Sequence, residues 1–85
     1  MIIRYKPSFV REFNKLPADL QEEALERIDL FKDVANHKKL KVHKLKGRLA
    51  DLYSFSVTYS HRIVFNFDSK TAVVFLAIGS HEIYK

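Results

Sequence analysis

The chain of 85 residues contains no cysteine and no long apolar run. Without thiols it can form neither a disulfide nor a thiolate metal site, which is typical of proteins in a reducing cytoplasm. Its longest apolar segment, residues 72–78, is far too short to span a bilayer. Arg4, Lys6 and Arg11 interrupt the N-terminus before the apolar region of a secretory signal could form. We therefore expect a soluble, cytoplasmic protein that does not contact membranes.

Acidic residues are missing from residues 36–48, NHKKLKVHKLKGR, which carry six lysines and arginines and two histidines. Elsewhere the acids are concentrated, since six of the ten lie between Asp19 and Asp33. The formal net charge is +5. A small basic domain whose acidic and basic residues lie in separate segments is expected to bind a polyanion such as nucleic acid.

Proline is scarce, and its two positions mark the ends of segments. Residues 1–5, MIIRY, include two β-branched isoleucines, which favours a first strand. Ser8 is predicted to cap a helix that begins at Phe9, and Pro17 ends that helix. The apolar spacing then predicts a second helix over residues 18–34.

The pattern changes to that of strands after Gly47, which permits a turn. Residues 52–58 alternate between apolar and polar, residues 61–67 alternate again, and residues 71–79 are almost continuously apolar. Short connections between three such strands favour an antiparallel meander. The sequence predicts an α+β fold, in which an N-terminal strand and a helical hairpin pack on a small, mostly antiparallel sheet. We expect one domain over residues 1–85.

The strand pairing brings candidate functional groups together. A turn centred on residues 68–70 places residues 61–62 opposite residues 76–77, and His81 follows just beyond that end. Residues 36–48, which we call the basic segment, are predicted to be irregular. They must fold back for His43 to reach the end of the sheet where residues 61–62 lie. The sequence thus predicts a polyanion-binding surface that includes titratable side chains.

Four motifs are spread in order along the chain. They are the Leu16-Pro17 junction, His43-Lys44-Leu45-Lys46-Gly47, Ser60-His61-Arg62-Ile63-Val64-Phe65 and Ile78-Gly79-Ser80-His81-Glu82-Ile83-Tyr84. With these motifs the whole chain resembles the RelE/ParE superfamily of toxins from toxin–antitoxin pairs, and most closely its YafQ-like mRNA interferases. The resemblance implies a ribosome-dependent endoribonuclease that cuts mRNA in the A site. It also implies that a cognate antitoxin holds the toxin monomer silent in a hetero-oligomeric complex.

The resemblance implies roles for individual residues. His43 matches a histidine of the YafQ-like H-x-L-x-G pattern, Arg62 matches the arginine of the superfamily's Y-R-I-x-Y strand, and His81 matches the histidine of the terminal G-[ST]-H. The chain departs from the YafQ-like pattern at Ser56, where that pattern has a histidine, and at Ala77, where it has an arginine.

A further departure lies at Ser60-His61, where the pattern has an acid followed by an aromatic residue. His61 is a candidate to replace part of that set. The departures imply either a different acid–base assignment or weaker cleavage.

RNA can be cut without a metal or cofactor when its own 2′-OH attacks the adjacent phosphate. The reaction needs a base, an acid and positive charge near the phosphorane. Histidine, with an ordinary pKa of about 6.5, can perform either proton transfer. We assign the proton transfers to His81 and to His43 or His61, and the phosphate to Arg62. The residues expected to bind RNA are Lys41, Lys44, Lys46 and Arg48 on its backbone and Tyr84 on a base.

Each of these groups also has an ordinary structural interpretation. His61 is in register with the apolar positions of its strand and could lie at the rim of the core. His37 is interpreted as a solvated loop residue. Arg62 could form a salt bridge with Asp51 or Glu82. A zinc site is disfavoured because no short ligand spacing such as H-x-x-x-H is present.

Three functions therefore remain. The first is the mRNA endonuclease toxin. The second is a non-nucleolytic toxin of the same fold, such as a ParE-like gyrase inhibitor. The third is a catalytically degenerate member that folds and binds its antitoxin.

Overall fold

A five-stranded sheet forms the centre of the computed structural model, which describes residues 1–47 and 51–80. Two helices cover one face of it. The elements are β1 (Ile2–Tyr5), α1 (Pro7–Asn14), α2 (Ala18–Phe31), a 3₁₀ turn (Val34–Asn36), β2 (His43–Lys44), β3 (Tyr53–Ser56), β4 (Arg62–Ser69) and β5 (Ala72–Gly79). The strands lie in the order β1-β5-β4-β3-β2 across the sheet. The predicted α+β architecture is confirmed.

Helix α1 begins at Pro7, two residues earlier than predicted. Proline suits the first helical position because its φ is already helical and its missing N–H would be unpaired there. The prediction that Ser8 caps this helix is wrong, since no side chain caps it. The Ser8 hydroxyl instead donates a 2.8 Å hydrogen bond to the carbonyl of Leu76. That bond ties α1 to β5.

Helix α2 begins after Pro17 and ends at Phe31, so the prediction that it reaches Val34 is wrong. The cause lies at Asp33, whose carboxylate accepts the backbone N–H of Ala35 and starts the 3₁₀ turn in place of another α-helical turn. At the other end, the Gln21 amide donates to backbone carbonyls at the end of α1. These bonds fix the tight junction between the two helices.

Strands β3, β4 and β5 form the predicted antiparallel meander, while β1 pairs in parallel with β5. The predicted register is wrong, because β4 continues through Ser69 and the hairpin turns at residues 70–71. Arg62 consequently lies opposite Gly79 rather than opposite residues 76–77. The Ser69 hydroxyl accepts the N–H of Thr71 and stabilises this later turn.

The core between the helices and the sheet is aromatic. The rings of Phe31, Phe55, Phe65 and Phe75 are fully buried, and Phe31 stacks on Phe55 with ring centroids 4.6 Å apart. Each buried phenylalanine contributes about 1.5–3 kcal/mol relative to an exposed one. This packing holds the N-terminal end of β4 in place.

The basic segment, predicted to be irregular, folds back as the edge strand β2 and pairs antiparallel with β3. The buried side chain of Leu40 anchors it in the core, and the Leu40 carbonyl accepts the backbone N–H of Ser56. Lys41 then takes a left-handed conformation, with φ of 61°. The reversal at Lys41 brings the lysines back alongside β3.

Burial raises the pKa of the Tyr5 phenol. The Tyr5 ring packs against Phe9 and Phe75, with centroid distances of 5.5 Å to each.

Over residues 1–47 and 51–80, no helix is both long enough and apolar enough to cross a membrane.

Candidate functional site

A pocket of about 270 Å³ opens where the basic segment meets the turn between β3 and β4. We call it the basic pocket. The side chains that the structure describes around it include four cations and no acid. A concave site with charge of one sign concentrates anions of the other sign. Its described lining residues are Arg27, Lys39, Leu40, Lys41, Ser56, Val57, Thr58, Tyr59 and Arg62.

Arg62 is held in this pocket by its partner across the sheet. Arg62 and Ser56 are directly paired in the β3–β4 register, and a guanidinium N–H donates a 2.7 Å hydrogen bond to the Ser56 hydroxyl. The alternative salt bridge of Arg62 with Asp51 or Glu82 stays a prediction, because Glu82 lies outside the described residues. The register therefore directs the charge of Arg62 into the pocket.

Arg27 is a pocket residue that sequence reasoning missed. Its Nε donates to the carbonyl of Val57 at 3.2 Å, and its Nη2 pairs with Glu23 at 3.2 Å. These contacts hold the side chain against the turn after β3. One signal was present, because Arg27 is the single basic residue of the otherwise acidic helix α2.

The predicted RNA-binding lysines are divided by the fold. Lys41 lines the basic pocket together with Lys39, whereas Lys44 and Lys46 do not line it. In β2, His43 pairs with Ser54 and Lys44 pairs with Tyr53. Because neighbouring residues of a strand point to opposite faces, Lys44 lies on the face away from His43.

Tyr59 is at the tip of the turn between β3 and β4, and it borders the basic pocket. It is 99% exposed, so its ring packs against almost nothing in the protein. An aromatic ring presented beside a cationic pocket is the arrangement with which proteins stack on unpaired bases. This tyrosine was not among the residues predicted from the sequence to bind RNA.

His61 contacts Thr58 of the basic pocket, although it is not among the described residues that line the pocket. Its Nδ1 is 3.2 Å from the hydroxyl oxygens of both Thr58 and Ser60, and Thr58 is part of the pocket wall. His61 is only partly buried. Its ring is therefore held through Nδ1.

His43 is exposed on β2, and its Nδ1 lies 2.9 Å from the carbonyl oxygen of Lys41. A carbonyl can only accept, so Nδ1 carries the proton and the lone pair of the neutral ring is on Nε2. Strand spacing and rise place the Cα atoms of His43 and Arg62 about 12 Å apart on the same face of the sheet.

His37 is not the solvated loop residue that the sequence suggested. Its ring stacks on Phe31 with centroids 4.4 Å apart, and its Nε2 lies 2.8 Å from the Phe31 carbonyl oxygen. His37 follows the 3₁₀ turn and reaches back to the terminal carbonyl of α2, so it is a structural residue.

Comparison with known proteins identifies the family. Residues 18–85 match the model of the ParE-like toxin domain. The chain belongs to this family. The RelE/ParE resemblance drawn from the sequence motifs is thereby confirmed, whereas closeness to the YafQ-like branch stays a prediction. A comparison with curated protein sequences gives no match.

Solved structures of toxins share the fold of this ParE-like toxin domain. The RelBE2 toxin–antitoxin complex from Mycobacterium tuberculosis gives a TM-score of 0.75 at 22% identity, over 94% of this chain and 96% of that chain. The YoeB-YefM complex from Staphylococcus aureus gives 0.74 at 18% identity, over 95% and 97%. The RelBE complex from E. coli gives 0.70 at 20% identity, over 93% and 94%. At these identities the similarity establishes the fold.

In the described part of the toxin domain, the basic pocket has the charge to attract an anion, and neither His43 nor His61 is among its described lining residues. Three predicted site residues, Arg48, His81 and Tyr84, lie outside the described residues. Within residues 1–47 and 51–80, no three histidine, aspartate or glutamate side chains are grouped as metal ligands would be.

Proposed function

We propose that this protein is the toxin of a type II toxin–antitoxin system and that it cleaves mRNA in the A site of the ribosome. The observation that carries the proposal is the position of Arg62 in a pocket whose described lining includes four cations and no acid, where the Ser56 hydroxyl accepts a hydrogen bond from its guanidinium. A guanidinium can bind two oxygens of one phosphate in its planar fork. The proposed place of action is the cytoplasm, where mRNA is translated.

The proposed reaction uses the substrate's own 2′-OH as the nucleophile. A base removes the hydroxyl proton while the oxygen attacks the adjacent phosphorus, and an acid gives a proton to the departing 5′-oxygen. The neutral His43 ring presents its unprotonated Nε2 to solvent, which suits the base. Arg62 stabilises the additional negative charge of the phosphorane. His81, assigned from the sequence, supplies the proton to the leaving group.

The proposed dependence on the ribosome is supported by the wide spacing of the candidate catalytic side chains. His43 is exposed on an edge strand, and about 12 Å separates its Cα from that of Arg62. A site whose groups are this widely spaced gains most from a substrate that is already held in a reactive geometry. The ribosome fixes the path of the mRNA and can supply that geometry.

The proposed protein partner is an antitoxin. The similar toxins from M. tuberculosis, S. aureus and E. coli were solved as complexes with antitoxins. One surface of this chain suits such a partner, because an apolar cleft between α1 and α2 leaves Val10 and Leu25 exposed. We propose a complex in which one toxin monomer receives apolar antitoxin side chains there.

A second function has one observation in its favour. The family model that matches the chain is ParE-like, and ParE-type toxins that poison DNA gyrase need no imidazole acid–base pair. A third, degenerate toxin remains because Ser56 and Ala77 replace residues of the YafQ-like pattern. A gyrase supercoiling assay separates these two.

The experiment that tests the main proposal maps mRNA cuts on ribosomes programmed with a defined codon in the A site. The experiment compares wild type with His43→Gln, Arg62→Ala and His81→Ala. The matched control is Arg11→Ala, which removes one positive charge, as Arg62→Ala does, from an exposed position on α1. We expect cuts at the A-site codon with wild type and the control, and a loss of about 100-fold or more in the site variants.

Two results would contradict this proposal. Cuts that also appear on naked mRNA at the same rate would exclude the role of the ribosome. An absence of cuts from wild type that still folds and binds its antitoxin would exclude the nuclease, and inhibition of gyrase would then identify the second function.

A further inference from the structure

The hydroxyl of Thr58 is occupied in a way that determines what it can do for His61. Its oxygen accepts the backbone N–H of Ser60 at 3.3 Å and that of His61 at 3.1 Å. A hydroxyl has two acceptor lone pairs and one proton. With both lone pairs engaged, only the proton remains, and the next polar atom is His61 Nδ1 at 3.2 Å.

The Thr58 hydroxyl therefore donates to Nδ1, and this nitrogen must be unprotonated in the neutral ring. A neutral imidazole carries one proton, which is then on Nε2. This is the opposite tautomer to that of His43, whose Nδ1 faces a carbonyl oxygen. The two rings thus differ in which edge donates and which accepts.

We infer that Thr58 is a positioning residue that sets His61 as a hydrogen-bond donor through Nε2, aimed at an RNA phosphate oxygen. In this tautomer Nε2 has no lone pair with which to take a proton from a 2′-OH. His61 accordingly binds phosphate, and the base is a different group. The choice of RNA as the ligand rests on the proposed function, whereas the tautomer does not.

Ser60 has a different part in this arrangement. Its hydroxyl oxygen is also 3.2 Å from Nδ1, but no described N–H donates to it, so it can either donate or accept. When His61 becomes an imidazolium, the Ser60 oxygen can accept the new Nδ1 proton and the Thr58 oxygen cannot. Thr58 thus selects one tautomer of the neutral His61 ring, whereas Ser60 can form a hydrogen bond with either the neutral or the protonated ring.

The first arm of the test measures the tautomer by NMR on the isolated protein. Long-range ¹H–¹⁵N correlations of the imidazoles are recorded about two pH units above the ordinary histidine pKa of about 6.5, and His61→Gln assigns the signals. We expect wild type, Thr58→Ser and Ser60→Ala to show protonated Nε2 and unprotonated Nδ1. Thr58→Val, which has a similar shape but no hydroxyl, should lose this preference.

The wild-type spectrum alone can overturn the inference, because a protonated Nδ1 would show that Thr58 does not donate. An unchanged tautomer in Thr58→Val would also overturn it. Backbone amide spectra confirm that the variants fold, and Thr58→Ser restores the hydroxyl if the valine disturbs the turn.

The second arm measures affinity for a single-stranded oligonucleotide that carries a 2′-deoxy substitution and cannot be cut. The glutamine amide reproduces the Nε2–H donor, so His61→Gln should bind better than His61→Ala, which should lose about tenfold in affinity for one missing charge-assisted bond. Equal binding by His61→Ala and wild type would contradict the phosphate role.

Cleavage on programmed ribosomes separates this inference from the proposed function. If His61 donates to phosphate, His61→Gln should restore most of the cleavage that His61→Ala loses. If His61 is the base, glutamine and alanine should be equally inactive, and the inference is wrong. If wild type does not cleave at all, the proposed function fails, while the NMR and binding arms still decide the role of Thr58.

Discussion

The guanidinium of Arg62 donates a 2.7 Å hydrogen bond to the hydroxyl of Ser56, its direct partner across β3 and β4. The bond joins a cation to a side chain that has no charge of its own. Ser56 therefore orients Arg62 without neutralising it.

The first prediction concerns this pair. Arg62→Ala should abolish cleavage, and Arg62→Lys should restore little of it, because an ammonium keeps the charge but lacks the planar fork. Ser56→Ala should lower cleavage by about tenfold, since it removes one orienting hydrogen bond to a charged group. The measurement is the single-turnover rate on programmed ribosomes. Arg62→Lys activity equal to that of wild type would show that only charge matters there.

The second prediction separates the backbone of Lys41 from its charge. Glycine adopts positive φ without steric cost, so Lys41→Gly should raise the free energy of unfolding by about 0.5–1 kcal/mol. The same change should lower the salt dependence of RNA affinity by about 0.7 in the log–log slope for one lost phosphate contact. Urea unfolding and binding at several salt concentrations measure the two effects.

Lys39→Gly is the matched control for this prediction. Lys39 also lines the basic pocket, but the positive φ described in this segment belongs to Lys41. Lys39→Gly should lower stability and affinity together. A loss of stability in Lys41→Gly as well would refute the assignment of strain to Lys41.

The third prediction concerns Tyr59. Tyr59→Ala should weaken single-stranded RNA binding by about tenfold, because stacking on one base is worth about 1–3 kcal/mol. Stability should not change, since the ring is fully exposed. Tyr59→Phe keeps the aromatic face and should bind like wild type. Fluorescence anisotropy with a short labelled RNA measures the affinities, and equal binding by all three proteins would exclude stacking at Tyr59.

The fourth prediction concerns the other serine on the same face of β3. Ser54 is fully buried, and its hydroxyl has no hydrogen-bond partner in the described part of the chain. Removing an unsatisfied buried hydroxyl should raise the free energy of unfolding by about 1 kcal/mol in Ser54→Ala. Ser56→Ala is the internal comparison, because it breaks a bond that exists and should give no such gain. A lower melting temperature for Ser54→Ala would count against the prediction.

The sequence predicted the helices and strands well, because their apolar spacing and two prolines are local signals. It failed where one side chain redirected the backbone. Ser8 was expected to cap α1 but bonds to Leu76, and Asp33 ends α2 by bonding to Ala35. Such choices depend on partners that are distant or that compete within a single turn.

The candidate site was predicted in part for the same reason. Arg62 and Lys41 were recognised from motif and charge, and the structure places both in one pocket. Arg27 and Thr58 were missed, because each reaches the site through hydrogen bonds to the turn around residues 57–61. The predicted register placed Arg62 opposite the wrong part of β5, because the predicted turn lay about two residues before the observed one.

The parallel pairing of β1 with β5 has a consequence for synthesis. Ile2 pairs with Ala72. β1, which is synthesised first, therefore cannot take its place in the sheet until β5 has been synthesised. β5 also separates β1 from β4 and contributes Phe75 to the core. A nascent chain that stops before β5 has neither a closed core nor a supported Arg62. Completion of the sheet is therefore delayed until β5 has been synthesised, although β1 is made long before it.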